Sequence, residues 1–243
     1  MNNLQIRKSA DRGYAHHGWL ESHHSFSFAE YFDREHMHFS ALRVINDDII
    51  APGQGFGMHP HRDMEIVTYI LRGELQHKDS IGNGSVIRAG DVQRMTAGTG
   101  IVHSEFNASN ANDVHLLQIW IMPDSLNLEP SYEEKNFSAE QKLNQWCLIA
   151  AHDNQGAALK VNQDMQMYAS VLDASASIAY TVNAHRSAYL HIARGKVEID
   201  GQQFESGDAL MLNGSAELHM KANAESELLL FDLPLHRPLG AGN

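Results

Sequence analysis

Two stretches of the chain are built alike. TYILRGELQHKD (68–79) and YLHIARGKVEIDG (189–201) each pass from an apolar segment rich in aliphatic and aromatic residues, through Arg-Gly, into a second segment. Each is followed by a second marker, RAGD ending at Asp91 and ESGD ending at Asp208. A strand–turn unit that recurs half a chain later predicts two β-modules of one design. The intervening sequence agrees. HFSALRVIN, EIVTYILRGELQHKD, DVQRM and VHLLQIWIM in the first half, and ALKVNQD, QMYASVLD, SAYLHIARGKVEIDG, ALMLNG, ELHMKA and ELLLFDL in the second, are short β-rich runs punctuated by Gly, Asn and Asp. Such a pattern predicts an all-β fold of the sandwich or barrel type. Helix signals are sparse. Residues 134–146 hold the one helix start, with Ser138 as N-cap and Gln141 three positions on. The polar stretch PDSLNLEPSYEEKN fits a joint between modules, dividing the chain into 1–130 and 131–243.

Composition narrows the function classes. The formal net charge of −12, with Lys and Arg scattered, argues against direct contact with nucleic acid, which needs a basic stripe. No apolar run approaches the ~20 residues of a membrane helix. The N-terminal MNNLQIRKSADRGYAHH has no apolar signal region, and the single Cys147 forms no intrachain disulfide. A cytoplasmic setting is the expectation. Sixteen histidines, several in close pairs, direct attention to metal chemistry.

The sharpest motif is a pair of forks. In GQGFGMHPHRDMEIVTYILRGE (53–74), His59 and His61 are one residue apart ahead of an apolar run. On a strand, alternate side chains share a face, so His-x-His presents two imidazoles together. AGTGIVHSEFN (97–107) repeats the spacing with His103 and Glu105. On neighbouring antiparallel strands the two forks would bring four ligands together. Three imidazoles and a carboxylate suit Fe(II), Cu(II), Ni(II), Mn(II), Co(II) or Zn(II), and an octahedral ion would keep two positions open. Glu65 shares the parity of His59 and His61. A straight strand would carry it about 13 Å past His61, whereas a bend at Pro60 would bring it nearer. Spacing alone leaves Glu65 and Glu105 as rivals for the fourth position.

Gly53-x5-His59-x-His61-x3-Glu65-x7-Gly73 is close to the first cupin motif, and Gly100-x2-His103-x3-Asn107 to the end of the second. With RGYAHHGWLESHHSFSFAEYFD and FSALRVINDD, these segments make the chain resemble the pirin family, in particular the bacterial pirin-like quercetin 2,3-dioxygenases. The resemblance covers nearly the whole chain and is strongest over residues 10–125. It implies two tandem cupin (jelly-roll-like) β-barrels with few short helices. It also implies one divalent transition metal, with Fe(II) favoured, held in the first barrel by His59, His61, His103 and Glu105. Glu65 then stands behind the ligands or at a strand end. In the second barrel, Thr181 and Asn183 fall near the first fork, and Glu217 and His219 near the second, so one metal per chain is expected.

The implied activity is cleavage of the heterocyclic ring of a flavonol such as quercetin by O2, with release of CO and Glu105 as general base. Pirins are also described as transcriptional co-regulators. The alternative is therefore a metal- or redox-sensing regulatory module acting through a protein partner. The remaining singular residues have plainer readings. His16, His17, His23 and His24 precede the barrel and read as packing or hydrogen-bonding groups. Cys147 reads as a small hydrophobe, and Trp19, Trp120 and Trp146 as core.

Overall fold

The computed structural model describes residues 4–153 and 158–235. Four antiparallel-rich sheets form two sandwiches of seven and four strands each. In the first, the large sheet runs in the order Ser131–Asn136, Asp91–Thr96, Glu65–Arg72, Val114–Ile121, Leu42–Ile50, Leu20–His24 and Gly13–His16. The small sheet facing it runs Gly55–His61, Ile101–Asn107, Glu74–Asp79 and Gly84–Arg88. The second sandwich repeats the plan. Its large sheet is Leu4–Arg7, Ala209–Asn213, Arg186–Arg194, Ser226–Pro234, Gln166–Leu172, Cys147–Ala151 and Leu159–Lys160. Its small sheet is Ser177–Val182, Ala216–Ala222, Lys196–Ile199 and Gln202–Glu205.

The repeated markers occupy equivalent turns. Gly73 and Gly195 both adopt positive φ, 81° and 87°, where the chain leaves a large sheet for a small one. A Cβ at either would strike a backbone carbonyl, that of Asp113 at 2.7 Å or Glu225 at 2.3 Å. Only glycine meets both demands. Asp91 and Asp208 also act alike. Each carboxylate accepts from the backbone N–H three residues back, Arg88 at 2.8 Å and Glu205 at 3.0 Å.

The central strands of the large sheets are buried on both faces. Val67, Tyr69 and Leu71 point to a core shared with Tyr189, Leu229, Phe231 and Leu233 of the other sandwich. The alternate residues Leu190, Ile192, Leu228 and Leu230 fill the second sandwich. Each such side chain contributes about 1.5–3 kcal/mol when fully buried, so the two sandwiches are fused by one core. Sheet membership also crosses the 130/131 boundary both ways. Leu4–Arg7 pairs with Ala209–Asn213, and Ser131–Asn136 pairs with Asp91–Thr96.

The helix start expected at Ser138 is present, as the single turn Ala139–Lys142 with the Ser138–Gln141 capping box formed. Ahead of it, Glu134–Asn136 extend a strand, because the free edge of Asp91–Thr96 offers that backbone a ladder. No helix among the described residues is long and apolar enough to cross a membrane.

Candidate metal centre

The first sandwich differs from the second in what fills it. Between the apolar clusters around Ile70, Leu75 and Leu116 and around Ile66, Met95 and Ile101 lies a polar interior. Thr68, His77, Gln93, His103 and Glu105 are all buried there. In the second sandwich the corresponding strand turns Leu218 and Met220 inward. Glu217 and His219 point outward there, 3.8 Å apart.

The two forks are brought together by antiparallel pairing of Gly55–His61 with Ile101–Asn107, in a register that sets His103 opposite His59. Gly55–His61 is the outermost strand of its sheet, where Pro60, lacking an N–H, is tolerated. The register shifts between His103 and Glu105, a bulge that re-aims the second fork. Gly55 lets the strands close over this bulge, since a Cβ there would lie 2.2 Å from the Glu105 carbonyl. Ring centroids of His59 and His103 are 4.4 Å apart, of His59 and His61 4.8 Å, and of His61 and His103 4.9 Å. One nitrogen of each ring lies within 4.8 Å of the others.

The arrangement supplies lone pairs. His59 Nδ1 donates to the Gly57 carbonyl at 2.7 Å, which leaves its Nε2 as the free acceptor. Burial, with the neighbouring His59, lowers the His61 pKa to about 4. Burial and the surrounding imidazoles lower that of His103 to about 2. Both rings are neutral at physiological pH, as ligation requires. His103 Nε2 is buried with no hydrogen-bond partner among the described residues. A buried polar atom left unpaired is costly, and a cation among the three rings would satisfy it. The residues present therefore fit a divalent metal.

Glu105 lies deeper. Its carboxylate accepts from Gln118 Nε2 at 2.7 Å and, more distantly, from Thr68 Oγ1 at 3.4 Å. Burial raises its pKa to about 7, against the pull of the Gln118 hydrogen bond. It groups within 4.8 Å with His103 and His77, rather than with His59 and His61. Glu65 is remote from this group in its bonding. It accepts from Thr96 Oγ1 and Asn162 Nδ2, both at 3.1 Å, and so ties the first sandwich to a segment of the second half.

Two residues of the site, His77 and Asp79, escaped sequence reasoning, and a third, Trp120, is expected from the sequence in the core. Trp120 stands edge-on to His61, centroids 4.9 Å apart, with its Nε1 buried and unpartnered among the described residues. His77 and Asp79 lie on the strand that flanks Ile101–Asn107 on its other side, where His103 faces Asp79 and Glu105 faces His77. His77-x-Asp79 is a third fork with the same two-residue spacing, which is the signal that could have found it. His24, in contrast, hydrogen-bonds Asn46 Oδ1 through Nδ1 at 2.8 Å.

The Pirin family model matches residues 5–121, and the model described as Quercetinase C-terminal cupin domain matches 148–233. The chain is 46% identical to a quercetin 2,3-dioxygenase of Escherichia coli K12 over 95% of its own length and 99% of the relative's. It is 41% identical to a putative quercetin 2,3-dioxygenase of Pasteurella multocida, again over 95% and 99%. Among solved structures, E. coli YhhW superposes with a TM-score of 0.91 at 45% identity, covering 96% of this chain and 99% of that one. The nickel(II) complex of bacterial pirin YhhW superposes with a TM-score of 0.90 at 44% identity, with the same coverage.

Proposed function

The chain belongs to the pirin family, and from that premise we propose that it is a metal-dependent dioxygenase opening the heterocyclic ring of a flavonol such as quercetin, with loss of CO. The observation that carries this reading is the convergence of His59, His61 and His103, with the neutral lone pairs of His61 and His103 beside a buried carboxyl. We assign His59, His61, His103 and Glu105 as ligands of one divalent ion. The nickel(II) complex of the relative YhhW supports a first-row divalent metal, and Fe(II) is our reading for the working ion. When bound, the ion supplies positive charge that stabilises the flavonol as its oxyanion.

The chain's own residues then bind, orient and move a proton. His59 and His61 are half-buried on an edge strand, whereas His103 is fully buried, so substrate enters from the side of the first fork. Trp120 and Phe56 bracket that side, packing on His61 and His59, and offer apolar surface to a flat aromatic substrate. Glu105, with its pKa near 7, is matched to take the enol proton at neutral pH. Gln118 and Thr68 hold the carboxylate in place while it does so.

The test is oxygen uptake with quercetin by protein reconstituted anaerobically with Fe(II), and then with Cu(II), Ni(II), Mn(II) and Co(II). Sustained uptake that is lost in the His59→Ala/His61→Ala double variant is expected. Absence of uptake with metal bound would instead favour the regulatory reading. Glu105→Gln that keeps metal and full turnover would remove the base role.

A further inference from the structure

We propose that Asp79 and His77 form a relay that fixes the tautomer of His103, directing its Nε2 lone pair to the ion; this rests on the metal reading above. The relay starts at a carboxylate that can only accept. Asp79 Oδ1 takes the backbone N–H groups of Ile81 at 3.0 Å and Asn83 at 2.9 Å, and Oδ2 takes Asn83 Nδ2 at 2.9 Å. Burial alone would raise the Asp79 pKa, but these donors and His77 outweigh it and hold the group below the usual carboxylate range. His77 Nε2 lies 3.1 Å from Oδ2, both side chains fully buried. Facing an ionised carboxylate, His77 must carry its proton on Nε2.

That choice decides the next ring. A neutral His77 with its proton on Nε2 presents a lone pair at Nδ1. Gln93 Nε2 approaches this atom at 3.4 Å, and His103 Nδ1 at 3.5 Å. Two acceptors would not be placed together in a buried site, so His103 Nδ1 is the protonated nitrogen. Its Nε2, the orphaned atom, is then unprotonated. The ring of His77 is kept in register by Tyr132, stacked on it with centroids 4.7 Å apart and an interplanar angle of 23°. His59 receives the same instruction from the Gly57 carbonyl. Both cross-strand histidines thus have their Nε2 atoms prepared before an ion arrives, as outer partners of ligating histidines commonly do. His77 and Asp79 are positioning residues that act through His103.

Asp79→Asn reverses the relay. The Ile81 and Asn83 N–H groups hold the new amide by its oxygen, which turns its NH2 toward His77 Nε2. His77 then carries its proton on Nδ1 and donates to His103 Nδ1, leaving His103 protonated on Nε2. The experiment is long-range 1H–15N correlation on 15N-histidine-labelled apoprotein, with His103 assigned by its Gln variant, together with Ni(II) titration. In the wild type, His103 should be protonated on Nδ1. In Asp79→Asn it should shift to Nε2–H, with Ni(II) bound about 10–100-fold more weakly. His77→Phe, which keeps a ring against Tyr132 but removes the acceptor, serves if Asp79→Asn does not fold, and should lose the single tautomer and the affinity together. A wild-type His103 protonated on Nε2 would overturn the proposal. So would an Asp79→Asn protein with unchanged tautomer and affinity, or two Ni(II) per chain with His77 as a ligand. The tautomer is read without turnover, so this failure is distinguishable from failure of the dioxygenase reading.

Discussion

His103 stands opposite His59 across paired antiparallel strands, with ring centroids 4.4 Å apart. The pairing makes one residue buried and its partner half-exposed, so the two should not be equivalent on removal. His103→Ala should abolish measurable Ni(II) binding, since its Nε2 is buried and has no other partner among the described residues. His59→Ala should weaken binding while leaving a residual site on His61, His103 and Glu105. Isothermal titration with Ni(II) checks the order, and equal losses would contradict it.

Gly55 and Gly57 lie two residues apart on the same strand yet face different surroundings. A Cβ at Gly55 would be 2.2 Å from the Glu105 carbonyl, whereas at Gly57 nothing lies within 4 Å. Gly55→Ala should separate the fork strands, costing roughly 1–3 kcal/mol of stability and weakening metal binding. Gly57→Ala should change stability by less than about 0.5–1 kcal/mol. Urea denaturation of the two variants, followed by Ni(II) titration, separates them.

Glu65 is fully buried and bonded to Thr96 and Asn162. Glu65→Ala removes the acceptor of the Thr96 hydroxyl proton and the nearer acceptor of Asn162 Nδ2 and should cost about 1–3 kcal/mol, with Ni(II) affinity changed by less than a few-fold. Loss of affinity with unchanged stability would instead return Glu65 to the ligands.

Asp48 carries a pH dependence of its own. Burial raises its pKa to about 7, although Ser22 Oγ donates to it at 2.5 Å. With the folded value above the unfolded one, the stabilisation is full below about pH 4 and is lost as pH rises through about 7. Asp48→Asn should therefore gain on the wild type between pH 5 and pH 8, by roughly 2–4 kcal/mol. Denaturation of the apoprotein at both pH values measures the gap, and a constant difference would contradict the assignment.

The sequence made some of this legible and hid the rest for physical reasons. The recurrent Arg-Gly and Gly-Asp markers announced the repeat because each encodes a turn locally, through a positive φ or a capping carboxylate. The His59–His61 pair was legible because strand parity is a two-residue rule. Sheet exchange was not legible, since Leu4 finds its partner at Leu212 and Arg7 at Ala209, through a ladder any extended segment could join. The bulge at Glu105 was equally hidden, being set by the approach of Gly55. His77 and Asp79 obeyed the same parity as the forks but lay on a third strand, whose neighbours only the topology reveals.

The central claim is tested most directly by measuring carbon monoxide in the headspace over metal-loaded protein turning over quercetin. The account predicts CO in step with the O2 consumed over many turnovers, and none from the His59→Ala/His61→Ala variant. Quercetin loss without CO, or CO release that survives in the double variant, would contradict it.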